Sequence, residues 1–287
     1  MDIGNLRARV GALQWYHTLE LAPGLVTPGW FDTRPLVRRL PFPSSLKGKR
    51  CLDVGTFDGF WAFEMERRGA AEVVAIDVLD PEEWDWPVAS QAKVKEEIGR
   101  RKAMGAGFEV AREALRSNVR RIERSVHDLK RSVDGTFDFV YVGSLLLHLR
   151  DPVGGLMSVR DVCAGEMLLV DAVDVGLSTA FRHRPVAGLD GLGRPWWWKP
   201  NLAALVRMVE AAGFLLVRPP GRCFIPAGRG QPRRRPTWRR LRSRAGREAF
   251  FSSMLGNPHA VILARPKGWT APRSQGPHRV EHRPPRT

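Results

Sequence analysis

Residues 50–59 read Arg-Cys-Leu-Asp-Val-Gly-Thr-Phe-Asp-Gly, and no other ten positions restrict the fold as tightly. Cys51, Leu52 and Val54 predict a short buried strand that stops at Gly55, with a helix opening near Phe60. A buried strand, a tight glycine turn and a helix N-terminus form the ligand-cradling corner of a doubly wound α/β sheet. The rest of the chain keeps that rhythm. Apolar runs at 73–77, 119–126, 137–142, 167–170, 214–217 and 260–264 predict six further strands. Helical patterns at 60–68, 90–102, 108–115, 152–163 and 200–212 separate them, and Gly69 and Gly213 stand where helices stop. The expectation is a seven-stranded, mostly parallel, Rossmann-like sheet with right-handed crossovers.

The chemistry lies in what fills the turn. A dinucleotide site wants glycine in the middle of the turn and avoids negative charge beside the pyrophosphate. Here Thr56, Phe57 and Asp58 occupy the middle, and Asp53 sits in the strand before it. Acid on both sides suits a cationic ligand without phosphate, and S-adenosylmethionine carries a sulfonium and an ammonium. Asp77 ends the second strand 18 residues after Gly59. An acid at that tip accepts both ribose hydroxyls; the plain alternative is a helix-capping aspartate. Asp53, Gly55, Thr56, Phe57, Gly59, Asp77 and Val78 are therefore the candidate cofactor residues.

The order LDVGTFDG, VVAIDV, VHDL and FDFVYVGSLLLHLRDP resembles the class I S-adenosylmethionine-dependent methyltransferases. Within that group it looks most like relatives of the tRNA wobble-uridine carboxymethyltransferase, over residues 15–217 and the terminal strand near 259–264. The resemblance implies an antiparallel last strand and S-adenosylmethionine as cofactor. It also implies Asp128 on the adenine amino group, a turn-forming aspartate being the alternative, with Leu129 beside it, and Gly143 and Ser144 at the tip of strand four. Residues 1–48, rich in aromatics and prolines from Trp15 onwards, would cover the cleft as a lid; packing on the sheet is the alternative. The carboxymethyltransferase holds a carboxylated cofactor through basic and tyrosine side chains. Its tyrosine before the strand-four histidine is Leu147 here, and no lysine precedes Trp30, so plain methyl transfer is expected.

Methyl transfer from a sulfonium is an in-line displacement in which alignment and exclusion of water can do most of the work. A base is needed only if the acceptor must lose a proton near the transition state. His148 follows strand four at its carboxyl end, where ligands sit in such sheets, and is the candidate base; lining the pocket is its alternative role. Neither an Asn-Pro-Pro-Tyr nor a Pro-Cys pair follows strand four, which favours an oxygen or ring nitrogen as acceptor. Trp196, Trp197 and Trp198 cannot all face one core, so at least one is expected to be partly exposed, either to stack on a flat substrate or to clamp the cleft.

Of the +16 net charge, nearly all is C-terminal: residues 218–287 hold 17 Lys and Arg against Glu248 and Glu281. The expected partner is tRNA through this basic region, in an insertion at about 219–258 and a disordered tail at 266–287. A small-molecule acceptor, a merely solvating charge run, and a non-catalytic RNA-binding protein are the alternatives. The methyltransferase domain is expected over 49–265. Three scattered cysteines exclude a disulfide framework and a zinc site, so no metal is expected. Without a signal-like or membrane-length apolar run, the expectation is a cytoplasmic protein.

Overall fold

The computed structural model describes residues 2–88, 91–191, 195–231, 242 and 254–268. The chain opens with α1 (Ile3–Gly11), capped by the Asp2 side chain, and four short strands, β1 (Trp15–His17), β2 (Glu20–Ala22), β3 (Leu25–Val26) and β4 (Gly29–Phe31). Then come β5 (Arg50–Val54), α2 (Phe60–Arg67), β6 (Glu72–Asp77), α3 (Gln91–Lys102), α4 (Ala106–Leu115), β7 (Arg120–Glu123), α5 (Arg131–Asp134) and β8 (Phe137–Gly143). The second half holds α6 (Pro152–Val162), β9 (Cys163–Ala172), α7 (Val175–Ala180), β10 (Ala187–Leu189), β11 (Trp198–Pro200), α8 (Leu202–Ala211), β12 (Phe214–Leu216), β13 (Gly221–Ile225) and β14 (Asn257–Pro266).

The main sheet runs β12-β14-β9-β8-β5-β6-β7. β5, β6, β7, β8 and β9 are parallel, and β14 lies antiparallel between β9 and β12. The predicted doubly wound sheet and its antiparallel last strand are therefore present. Successive side chains of a strand point to opposite faces, and the core divides accordingly. Cys51, Ala75, Phe139, Tyr141 and Leu168 pack with α2, α4 and the N-terminal segment. Leu52, Val54, Ile76, Val140, Val142 and Leu169 pack under α6 and α8.

Two boundaries differ from expectation. An eighth strand, β13, lies inside the expected 219–258 insertion and pairs antiparallel with β14, Gly221 opposite Val261 and Ile225 opposite Asn257. β12 pairs with the other end of β14, Leu216 opposite Ala264, so β12 and β13 form one edge interrupted at Pro219-Pro220. Prolines cannot donate to the ladder, which is why the break falls there. Pro266, which opens the expected tail, is instead the last residue of β14, opposite Phe214. The arginines at 233–235, 239, 240, 244 and 247, Trp238 and the tail from 269 lie outside the described residues.

The N-terminal segment is a small ribbon laid on the main sheet. β1 and β4 pair in parallel, β2 and β3 form a hairpin, and the stretch after β13 joins them. Phe31 bridges Ala227, and the Gly228 and Gly230 N–H groups donate to the Trp30 and Gly29 carbonyls at 2.7 and 2.9 Å. The backbones approach so closely that a Cβ on Gly228 would lie 2.1 Å from the Gly29 carbonyl oxygen. Arg68 ties the next stretch down, donating to the Phe42, Pro43 and Val37 carbonyls while paired with Glu64.

Candidate active site

The turn after β5 is wound by left-handed residues, Gly55 (φ 75°), Phe57 (φ 51°) and Gly59 (φ 88°), the last capping α2. Gly55 and Thr56 N–H groups both donate to the Ile76 carbonyl, which docks the turn against β6. Asp53 is buried below it and accepts from the Thr56 hydroxyl at 2.7 Å and the Ala62 N–H at 3.1 Å. Burial pushes its carboxyl up to about 7. Asp77 at the tip of β6 accepts from the Phe57 and Val78 N–H groups, each at 2.9 Å, and from Lys102 Nζ at 2.5 Å. Both members of that ion pair are buried.

Asp58 has a different role from the one its position in the turn suggested. Its Oδ2 accepts from the Tyr16 N–H at 2.6 Å and the His17 N–H at 2.9 Å, so it holds β1 rather than facing a ligand. Burial pushes it, too, up to about 7. Of the two acids flanking the turn, only Asp53 reaches the cleft wall.

One cleft opens over the carboxyl ends of β5, β6 and β8, the edge where open α/β sheets take their ligands. Asp53, Gly55, Thr56, Phe57, Asp77, Val78, Gly143, Ser144 and His148 line it. Gly59 does not: it backs onto Phe63 and Phe108, where a Cβ would clash at 2.5 and 2.8 Å. Asp128 is exposed on an adjoining depression with Glu83 and Lys130, and Leu129 is buried in the core. Ser125 and Val126 from the same stretch reach the cleft in their place.

The cleft's far end belongs to the N-terminal ribbon and a set of rings. Tyr16 stacks on Phe57 at 4.5 Å, Trp61 on Tyr141 at 4.7 Å, and Phe31, Thr33 and Ile225 complete the wall. Trp84 and Trp86 close the side near Asp77, and Trp86 stacks on His148 at 5.7 Å. His148 Nδ1 donates to the Pro195 carbonyl at 2.5 Å, because a carbonyl can only accept; the proton is thereby fixed on Nδ1. Burial lowers its pKa to about 4, so the ring is neutral at physiological pH but a weak base. The three tryptophans are half-buried and lie outside the cleft lining; Trp197 Nε1 donates to the Asp85 carbonyl and Trp198 Nε1 to that of Arg150. These two bonds brace the loops carrying Trp86 and His148.

Sequence reasoning placed Tyr16 in the segment expected to cover the cleft, but missed Lys102 and Asp171. Asp171, at the end of β9, accepts from the Leu145 and Leu146 N–H groups at 2.8 Å and so shapes the turn after β8. The apolar run ending in Asp171 was visible; its partners 25 and 26 residues earlier were not. Among the described residues no cluster of His, Cys, Asp or Glu could hold a metal, and no helix is long and apolar enough to cross a membrane.

The N-terminal domain of EvdMO1, solved with S-adenosylhomocysteine and D-fucose, superposes with a TM-score of 0.53 at 18% identity, covering 93% of this chain and 98% of that one. The fold is that of a class I S-adenosylmethionine-dependent methyltransferase. In sequence the chain is similar to tRNA U34 carboxymethyltransferases. The Pseudomonas fluorescens (strain Pf0-1) protein is 28% identical over 177 residues, 60% of this chain and 48% of that protein. The Azotobacter vinelandii relative is 28% identical over 219 residues, 74% of this chain and 60% of its own length. The chain thus spans about half the length of the first of these relatives. No family model matches. The acids and backbone donors along the cleft fit the cofactor of this methyltransferase class: carboxylates for hydroxyl and ammonium groups, aromatic walls for a flat base.

Proposed function

We propose that this chain transfers a methyl group from S-adenosylmethionine to an oxygen of a tRNA wobble uridine. The observation that carries the methyl reading is the distribution of charge in the cleft. Its basic side chains among the described residues are Lys102 and Arg124, paired with Asp77 and Asp134 at the end beneath β6 and β7. Among the described residues, no Lys or Arg lines the end walled by Tyr16, Phe31 and Trp61, where a carboxylated methyl group would need one. Leu147, in the position of the relatives' tyrosine, is buried and off the cleft. The tRNA part of the reading rests on the relatives' names and on the arginine-rich C-terminal quarter.

When bound, the sulfonium supplies an activated methyl and a neutral thioether leaving group. Asp77, oriented by the Phe57 N–H and Lys102, would accept from the ribose hydroxyls. Phe57, Val78, Ser125 and Val126 would flank the adenine, and Asp53 with the turn backbone would hold the amino-acid end. The N-terminal ribbon excludes water from the reacting atoms.

The test is transfer of labelled methyl to total tRNA against a small-metabolite extract, with calorimetry for S-adenosylmethionine. Labelled tRNA, with RNA affinity that falls steeply with salt, supports the reading. Label only in the metabolite fraction would favour a small-molecule acceptor, the reading that the near-neutral residues 1–217 favour. Loss of cofactor binding at millimolar concentration would remove both.

A further inference from the structure

Buried polar atoms in a folded chain are almost always hydrogen-bonded, and each exception calls for a reason. The N-terminal ribbon keeps to the rule at Trp15, Thr18 and Thr27. Trp15 Nε1 donates to the Val10 carbonyl and Thr18 Oγ1 to that of Phe31, each at 2.9 Å. Thr27 Oγ1 donates to the His17 carbonyl and accepts from the Leu19 N–H, both at 2.8 Å. Two side chains depart from it: His17 at Nδ1 and Thr33 at Oγ1 have no hydrogen-bond partner among the described residues. These residues are only 7% and 3% exposed, and both line the cleft. Backbone pairing brings them together, since β1 and β4 run parallel with His17 opposite Phe31, and Thr33 follows two residues on. Thr33 also stands just before the short helical turn Arg34–Arg38, where a threonine ordinarily caps the turn with its hydroxyl, yet it makes no such bond. The His17 ring packs edge-on to Tyr16 at 4.8 Å and against Phe60 at 5.8 Å, so its free nitrogen is held in place without being satisfied.

We propose that His17 and Thr33 read the edge of the methyl acceptor, and that this edge belongs to a flat, uncharged ring carrying an N–H beside a carbonyl, as a cyclic imide does. The proposal rests on the methyl-transfer reading and adds which side chains select the acceptor. A neutral imidazole has one N–H and one lone pair, and a hydroxyl can turn either way. The pair therefore complements a group that both gives and takes a hydrogen bond. Burial lowers the His17 pKa to about 3, which keeps the ring neutral. With no Lys or Arg lining this end among the described residues, a charged edge would go unmatched. The flatness follows from the walls, where Tyr16, Phe31, Trp61 and Tyr141 present ring surface to the same space. A ligand lacking the polar edge would leave both atoms unsatisfied, and a site built to hydrogen-bond turns that cost into discrimination. Neither atom is exposed to solvent, so the ribbon must lift to admit the acceptor and close again over its edge. Closure then makes two bonds that the ribbon cannot make by itself.

The probes are uridine, which carries the imide edge, and 3-methyluridine, the same ring with that N–H removed. Both are titrated onto the full chain with S-adenosylhomocysteine saturating, so that a change in cofactor affinity does not enter. The ring 15N signals of His17 should move as uridine binds, and 3-methyluridine should bind about tenfold more weakly, the loss expected for one hydrogen bond. His17→Phe and Thr33→Val should each weaken uridine about tenfold. Thr179→Val, the same change on the exposed face of α7, should leave uridine affinity as it is. Thr33→Val also separates reading a ligand from holding the fold. It keeps the side chain's shape and removes a buried hydroxyl that has no partner, so Tm without acceptor should equal the native value or exceed it by about 2–4 °C. A hydroxyl that held the fold would lower Tm when removed. Unmoved His17 signals at saturating uridine, equal affinity for the two nucleosides, native affinity in Thr33→Val or a lower Tm in that variant each overturns the proposal. So does a lack of uridine binding by a chain that binds S-adenosylhomocysteine. Failure of the native chain to bind S-adenosylhomocysteine would instead overturn the methyltransferase reading.

Discussion

Asp77 and Lys102 are two buried charges whose neighbours leave little water to share. Removing one partner of such a pair leaves the other desolvated and unpaired, typically at a cost of about 3–5 kcal/mol. Asp77→Ala should therefore lower unfolding stability by that order as well as weaken S-adenosylmethionine. Adding Lys102→Met should restore most of the stability and none of the affinity, which would stay lower by about 1.5–3 kcal/mol. Denaturant unfolding and calorimetry on the two variants separate the effects; recovery of cofactor affinity in the double variant would show that Asp77 does not hold the ribose. Asp53 and Asp77 were legible because strand ends and spacing place them. Asp58 was misread because the sequence shows that an acid occupies the turn but not which way it points. Lys102 was invisible, since its only signal is an ion pair 25 residues away across α3.

At the scale of elements, Asp58 is the latch of β1. Its folded pKa of about 7 lies above the ordinary aspartate value of 3.8, owing first to desolvation. Between those values the folded chain holds a proton that the unfolded chain has lost, so stability falls as pH rises from about 4 to about 7 and is level beyond. Asp58→Asn keeps an oxygen for both N–H donors but cannot ionise. The native chain should lose more stability than this variant across that window, by up to about 4 kcal/mol if the shift is fully expressed. Parallel slopes in pH-dependent unfolding would mean that Asp58 is charged when folded. Longer elements such as β8, α6 and α8 were readable from period and punctuation. β13 was not, although Cys223 and Ile225 alternate inward against exposed Arg222 and Phe224, because Pro219-Pro220-Gly221 resembles a loop. The two- and three-residue strands of the N-terminal ribbon carry too little pattern to read, being made by pairing with a distant segment.

Across the whole molecule, the cleft is bounded by two stretches joined by backbone hydrogen bonds: β4 and residues 226–230. Gly228→Ala would drive a Cβ into the Gly29 carbonyl and should part them. Amide hydrogen exchange should then accelerate together at residues 16–31 and 226–230 and remain slow in β5, β8 and β9; acceleration at only one of the two stretches would show that they are independent. The doubly wound sheet was written in the sequence because each strand and helix declares itself locally. The closure of its cleft was not, because residues 31 and 227 are joined by nothing a local window contains. That separation also has a consequence in time. On a ribosome the N-terminal ribbon emerges first, with Trp15, Tyr16 and Phe31 lacking the strand that flanks them, and at common elongation rates its partner follows on the order of tens of seconds later. A nascent chain must pass that interval with its aromatic wall uncovered, so synthesis speed and chaperone supply, and not sequence alone, will set how much of this protein reaches a closed cleft.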